Sequence, residues 1–128
     1  MVSRTEILAI TVAAEEREHQ KYLAKREATK VETREYCSTE LSELLKTEAD
    51  KPSHTFVLLV TIPDDDNEVQ IIKRDTDSPY YTPVPSYKNF DTLVEFTKEH
   101  GFEVEIKDDV YRYNRNTSYK CKKIIIKW

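Results

Sequence analysis

The sequence predicts an α+β fold. A long N-terminal helix, or a helical pair, and a second short helix pack on a four- to five-stranded antiparallel sheet, in the order α(α)-β-β-α-β-β. Three observations lead there. Neither glycine nor proline occurs before Pro52, so nothing strongly interrupts a helix over residues 4–49. The runs "TFVLLVTI" and "KKIIIKW" are apolar enough to need burial. The polar stretches "PDDDN" and "NRNTS" separate strand-like runs by a few residues, which favours antiparallel neighbours. A chain of 128 residues is read as one domain, 1–128, with a helical segment at 1–51 and a ββαββ sheet core at 52–128.

Each element has its own signal. Ser3 or Thr5 can cap the first helix. Leu8, Val12 and Ala13 form an apolar stripe that Tyr22 and Leu23 extend, and Leu41, Leu44 and Leu45 form a second. Between them the chain is poor in large apolar groups. Thr29, Val31 and Thr33 are mediocre helix formers, so the helix either bends there into a pair or projects and packs on another copy. "HTFVLLVTI" (54–62) is apolar on both faces and reads as a central strand. "EVQIIKR" pairs back as a hairpin. "SPYYTPVPSY" (78–87) reads as a stiff crossover connection, because its prolines bias the chain toward extended geometry. A short helix follows at about 90–100, with Asp91 as N-cap and Gly101, the only glycine, past its end. "FEVEIKDDVYRY" supplies one or two strand segments and "YKCKKIIIKW" the last strand.

The formal net charge is −4, which gives no global signal for nucleic acid. The charge is uneven: −2 over residues 1–51, −7 over 52–106 and +5 over 107–128. Cys37 and Cys121 are far apart without a CxxC, which argues against a disulfide framework or zinc site. The opening "MVSRTEILAITVAAEEREHQ" turns charged too soon for a signal peptide, and no apolar stretch is long enough to span a bilayer. A cytoplasmic protein without a membrane partner is expected.

Two surfaces attract attention. The first joins Tyr80, Tyr81 and Tyr87 to the carboxylates Asp64, Asp65 and Asp66. Tyrosine offers contact area at low entropic cost, and an acidic tip can face a basic partner. The second is basic and aromatic: Tyr111, Tyr113, Arg112, Arg115, Lys120 and Lys122 in the last hairpin, with helix stripes at Arg17, Lys21 and Lys25 and at Arg26, Lys30 and Arg34. Cations for phosphate and rings for stacking would suit a single nucleic-acid strand. The bland readings are core packing for the tyrosines, edge protection for the strand lysines and a solvated face for the helix charges. "DDDN" lacks the alternation and glycine of an EF-hand, so no metal is expected. No nucleophile sits beside a base in the linear pattern, and no glycine loop can cradle a phosphate, so neither an enzyme nor a cofactor is expected.

These features point to a small non-enzymatic protein–protein interaction module. Its general look is that of a bacteriophage or mobile-element accessory protein that binds and inhibits or modulates a host macromolecule. Self-association through the first helix would fit it. The alternatives are a nucleic-acid-binding module using the last hairpin, and a small-ligand protein in which tyrosines stack a nucleotide-like ring.

Overall fold

The computed structural model describes residues 1–74 and 76–128. Helix α1 (Arg4–Tyr36) starts at Ser3, whose Oγ accepts the Glu6 N–H at 3.2 Å. It runs without a break into a π-helical segment (Cys37–Leu41) and then α2 (Ser42–Ala49). Of the two outcomes left open for the helix, it stays continuous and projects. The threonines do not break it; Thr29 and Thr33 donate their hydroxyls to the carbonyls of Lys25 and Thr29, at 3.1 and 2.7 Å, and both are buried against the body. The irregularity falls later, where the Ser42 hydroxyl donates to the Cys37 carbonyl at 2.6 Å across the wide turn.

Five strands follow: β1 (Thr55–Thr61), β2 (Glu68–Arg74), β3 (Tyr81–Asn89), β4 (Glu103–Asn114) and β5 (Thr117–Lys127). Helix α3 (Phe90–Glu99) lies between β3 and β4. The sheet order is β3-β2-β1-β5-β4, with every neighbour antiparallel and β1 in the centre, as its two apolar faces predict. Residues 103–114 make one unbroken strand.

The fifth strand comes from an unexpected place. The Tyr/Pro segment is not a crossover connection, because from Tyr81 onward it is β3, paired with β2. The sheet core is therefore βββαββ. An edge position tolerates the prolines, since one side of the strand needs no ladder bond. Pro83 lies opposite Ile72. Pro85 falls where the register slips between Gln70 and Ile72, and there the Gln70 side-chain amide donates to the Val84 carbonyl at 3.1 Å.

The cap of α3 also differs from expectation. Asn89, not Asp91, is the N-cap, and its Oδ1 accepts the Thr92 N–H at 3.0 Å and the Thr92 hydroxyl at 2.8 Å. Strand β3 delivers Asn89 in extended geometry, which the cap position needs, while Asp91 is already helical. At the other end Gly101 adopts φ +91°. Its N–H bonds the Lys98 carbonyl at 3.0 Å and the Phe102 N–H bonds the Thr97 carbonyl at 3.4 Å, the two bonds of a Schellman motif.

Two apolar clusters flank the sheet. On the helix side Leu58, Val60, Val69, Ile71, Ile124 and Ile126 pack against Leu93, Val94, Tyr36, Cys37 and Leu41. On the opposite face Leu59, Ile72, Tyr81, Tyr111 and Cys121 form a smaller cluster. The edge strands β3 and β4 approach each other, so the sheet is rolled, and this roll lets residues away from the helices be buried.

Candidate functional site

One joint fastens α1 to the body. The Thr33 hydroxyl, fully buried, accepts the Asn89 N–H at 2.8 Å. One helical turn away Thr29 reaches the Glu68 carboxylate at 3.5 Å, and further out the Tyr22 hydroxyl donates to the Asp66 carboxylate. That bond raises the Tyr22 phenol above its ordinary pKa, since the bonded carboxylate disfavours a phenolate. The acidic tip has internal work. Asp64 Oδ1 accepts the N–H groups of Asp66 and Glu68, each at 2.9 Å, and Asn67 turns the chain at φ 60°. Asp66 holds the helix, and Asp65 stands exposed.

Beyond that joint α1 is bare. Residues 4–21 are exposed apart from half-buried Ala14. Seven of the eight residues from Ile7 to Ala14 are apolar, and they surround the helix axis instead of forming one stripe. Ile7, Ile10 and Val12 are 52, 63 and 58% exposed. Arg17, Lys21 and Lys25 continue the row of Ile7, Ile10 and Ala14 as an exposed basic stripe. Of the second basic set, Arg26 and Lys30 are half-buried toward the body and Arg34 is exposed.

A groove of about 390 Å³ opens between the π segment and α2 on one side and the end of α3 and Trp128 on the other. Leu41, Leu45, Phe96, Phe102 and Trp128 supply its apolar walls. Phe102 meets the Trp128 ring edge-on at 6.5 Å, and His100 stacks on Phe96 at 4.2 Å. The His100 Nδ1 lies 2.8 Å from the Phe96 carbonyl. A carbonyl can only accept, so Nδ1 carries the proton there and Nε2 is the free acceptor of the ring. Cys37 lies at the base. Burial pushes its thiol up to about 11, against a weaker downward pull from Lys88, so at neutral pH it is protonated and a poor nucleophile. No local pattern marks this groove in the sequence, because its walls come from three separated segments.

The structure distributes the other candidate residues widely. Tyr80 is half-buried, Tyr81 packs against the outer-face cluster, and Tyr87 is exposed on β3. In the last hairpin Tyr111 is buried, and burial raises its phenol pKa. Tyr119 lies 5.7 Å from both Tyr111 and Tyr113. The register pairs Tyr111 with Tyr119, Arg112 with Ser118 and Asp108 with Lys122. Strand alternation thus puts the tyrosines on one face and Arg112, Lys120 and Lys122 on the other. Lys122 bonds Asp108 and holds that carboxyl below its ordinary range, while Arg112 Nη2 donates to the Arg115 carbonyl at 3.4 Å. Arg112, Lys120 and Lys122 thus lie away from the rings, while Lys107 and Lys123 share the tyrosine face.

Among the described residues no group of three or more His, Cys, Asp or Glu side chains is placed to hold a metal ion, and no helix is long and apolar enough to cross a membrane. No protein-family model, curated protein or solved structure matches the chain.

Proposed function

We propose that this is a non-enzymatic interaction protein that binds and modulates another macromolecule, with the bare half of α1 as its principal contact surface. One observation carries the reading: a projecting helix exposes apolar side chains on all sides between Ile7 and Ala14. Ile7, Leu8, Ile10 and Val12 are all left exposed, and exposed apolar surface gathered in one segment is a feature of contact sites. A helix apolar all round is stable when surrounded, as in a partner's groove or a helical bundle. Asp65 and Tyr87 extend the proposed surface from the expected acidic and tyrosine patches. The reading places the protein in the cytoplasm, where thiols such as Cys37 and Cys121 stay reduced.

Affinity capture from bacterial lysate after nuclease treatment tests this, using the wild type beside Ile10→Glu/Val12→Glu. Both positions are exposed, so the variant keeps its fold. A stoichiometric protein bound by the wild type and lost from the variant is the expected result. Equal capture by the variant, or recovery of nucleic acid alone from untreated lysate, would overturn the assignment.

A further inference from the structure

We infer that the apolar end of α1 docks into the apolar groove of a second copy, so that the protein associates head to tail. This rests on reading the bare half of α1 as a contact surface, and it names the partner site. Both halves of a complementary contact are present on one chain. The groove holds about 390 Å³. The space vacated by one buried leucine side chain is on the order of 150 Å³, so the groove accepts roughly two or three aliphatic side chains. Ile7, Ile10 and Ala14 are spaced at i, i+3 and i+7, the anchor spacing of a helix lying in a groove.

The charges match as well. The residues flanking the apolar segment are Arg4 and Glu6 on one side and Glu15, Glu16, Arg17 and Glu18 on the other, a net charge of −2. The charged or titratable side chains lining the groove are Lys46, His100 and Cys37, and no Asp or Glu side chain lines it among the described residues. Lys46 pairs with Glu43 at 3.2 Å, but both side chains are about three-quarters exposed, so the pair yields readily to a new partner.

The contact cannot close within one molecule. Helix α1 continues unbroken into the π segment that forms the groove wall, so Ala14 stands roughly 35 Å from Cys37 along a rigid axis. Pairing of α1 with another α1 is the competing geometry, and the sequence opposes it. The row begun by Ile7, Ile10 and Ala14 continues as Arg17, Lys21 and Lys25. A parallel pair would set like charges against each other, and an antiparallel pair overlapping along residues 7–25 would set isoleucines against cations; a short antiparallel overlap about Ile10 would leave the groove variant's association intact. End-into-groove contact uses two different patches per copy, so it closes into a ring, of which a reciprocal pair is the smallest, or propagates.

Sedimentation velocity over a concentration series tests the inference with three full-length proteins: the wild type, Ile10→Glu, and the groove variant Lys46→Glu/Ala49→Glu. All substituted positions are exposed, and unchanged circular dichroism serves as the folding control. The wild type should form a dimer or a larger species as concentration rises, while each variant alone stays at the 15.1 kDa chain mass. Mixed one to one, the variants should form a capped pair of twice that mass, because one retains the end and the other the groove. A wild type that stays monomeric at hundreds of micromolar, variants that do not complement, or a dimer indifferent to the groove variant would each overturn it. If the wild type is monomeric yet Ile10→Glu/Val12→Glu still loses a captured protein, this inference fails while the interaction reading stands.

Discussion

Replacing Thr33 by Val removes one oxygen from the joint that fixes α1 to the body, and its cost follows from the hydrogen bonds it makes. Valine keeps the branched shape and nearly the volume, so packing on the helix-side cluster survives. The Thr29 carbonyl loses the Thr33 hydroxyl but keeps the helical N–H bond. The Asn89 N–H, in a residue only 2% exposed, is left without its acceptor. Leaving one buried donor unpaired costs about 1–3 kcal/mol. With a urea slope of about 2 kcal/mol/M for a domain this size, the unfolding midpoint should fall by roughly 0.5–1.5 M. Thr33→Ser is the control: it keeps the hydroxyl and loses a buried methyl, worth about 1 kcal/mol. Urea titration followed by Trp128 fluorescence and far-ultraviolet circular dichroism reads both variants. If Thr33→Val matches the wild type, or Thr33→Ser is the less stable of the two, the bond does not tie α1 to the sheet.

Three further outcomes are expected. Asn89→Ala should cost about 1–2 kcal/mol in urea unfolding, through loss of the α3 cap, while Asp91→Ala stays within about 0.5 kcal/mol; the reverse order would return the cap to Asp91. Gly101→Ala should destabilise by about 1 kcal/mol from the left-handed backbone alone, because nothing lies within 4 Å of an added Cβ; an unchanged midpoint would contradict the Schellman assignment. Burial raises the Cys37 thiol from 9.0 to about 11, so the folded state holds its proton more tightly than the unfolded chain. That contribution is complete below pH 9 and lost as pH rises through about 11, at roughly 1.4 kcal/mol per unit of difference. The urea midpoint should therefore fall between pH 9 and 11, and less steeply in Cys37→Ala. Equal slopes would remove Cys37 as a source of the alkaline loss.

Much of the fold was legible because local signals and burial agree. "TFVLLVTI" is apolar on both faces, and β1 is the central strand, with Leu58 and Val60 buried on the helix side and Leu59 half-buried on the other. Gly101 lies where a left-handed residue is required. The failures have a common cause, since each depended on what lay across the structure. Pro83 and Pro85 argue against a strand unless that strand is an edge, and edge position is set by the sheet order. Asn89 and Asp91 are both good caps by composition, and the arrival of β3 beside Thr33 decides between them. "DDDN" could be read as a turn, but the Tyr22–Asp66 bond spans 44 residues. The alternation of Tyr111 and Arg112 was visible, whereas the burial of Tyr111 depends on the roll of the sheet. The groove had no local signature, because Leu45, Phe102 and Trp128 meet only after α2, α3 and β5 are in place.

The distribution of anchors along α1 explains why its two halves behave differently. From Thr29 to Cys37 the buried positions are Thr29, Thr33, Tyr36 and Cys37, spaced to keep one face on the body. N-terminal to Tyr22 no residue faces the body, and the apolar groups from Ile7 to Ala14 gain nothing from the fold. Most helical stability in proteins comes from tertiary packing, which this half lacks, so it is held by continuity with the anchored half and by its Ser3 cap. Covering its apolar segment would stabilise the helix and remove apolar surface from water together. On the proposed reading, binding at this end and added stability of the α1 helix would be one thermodynamic event. Substitutions at Ile7, Ile10 or Val12 should weaken association while leaving the midpoint of the sheet domain unchanged.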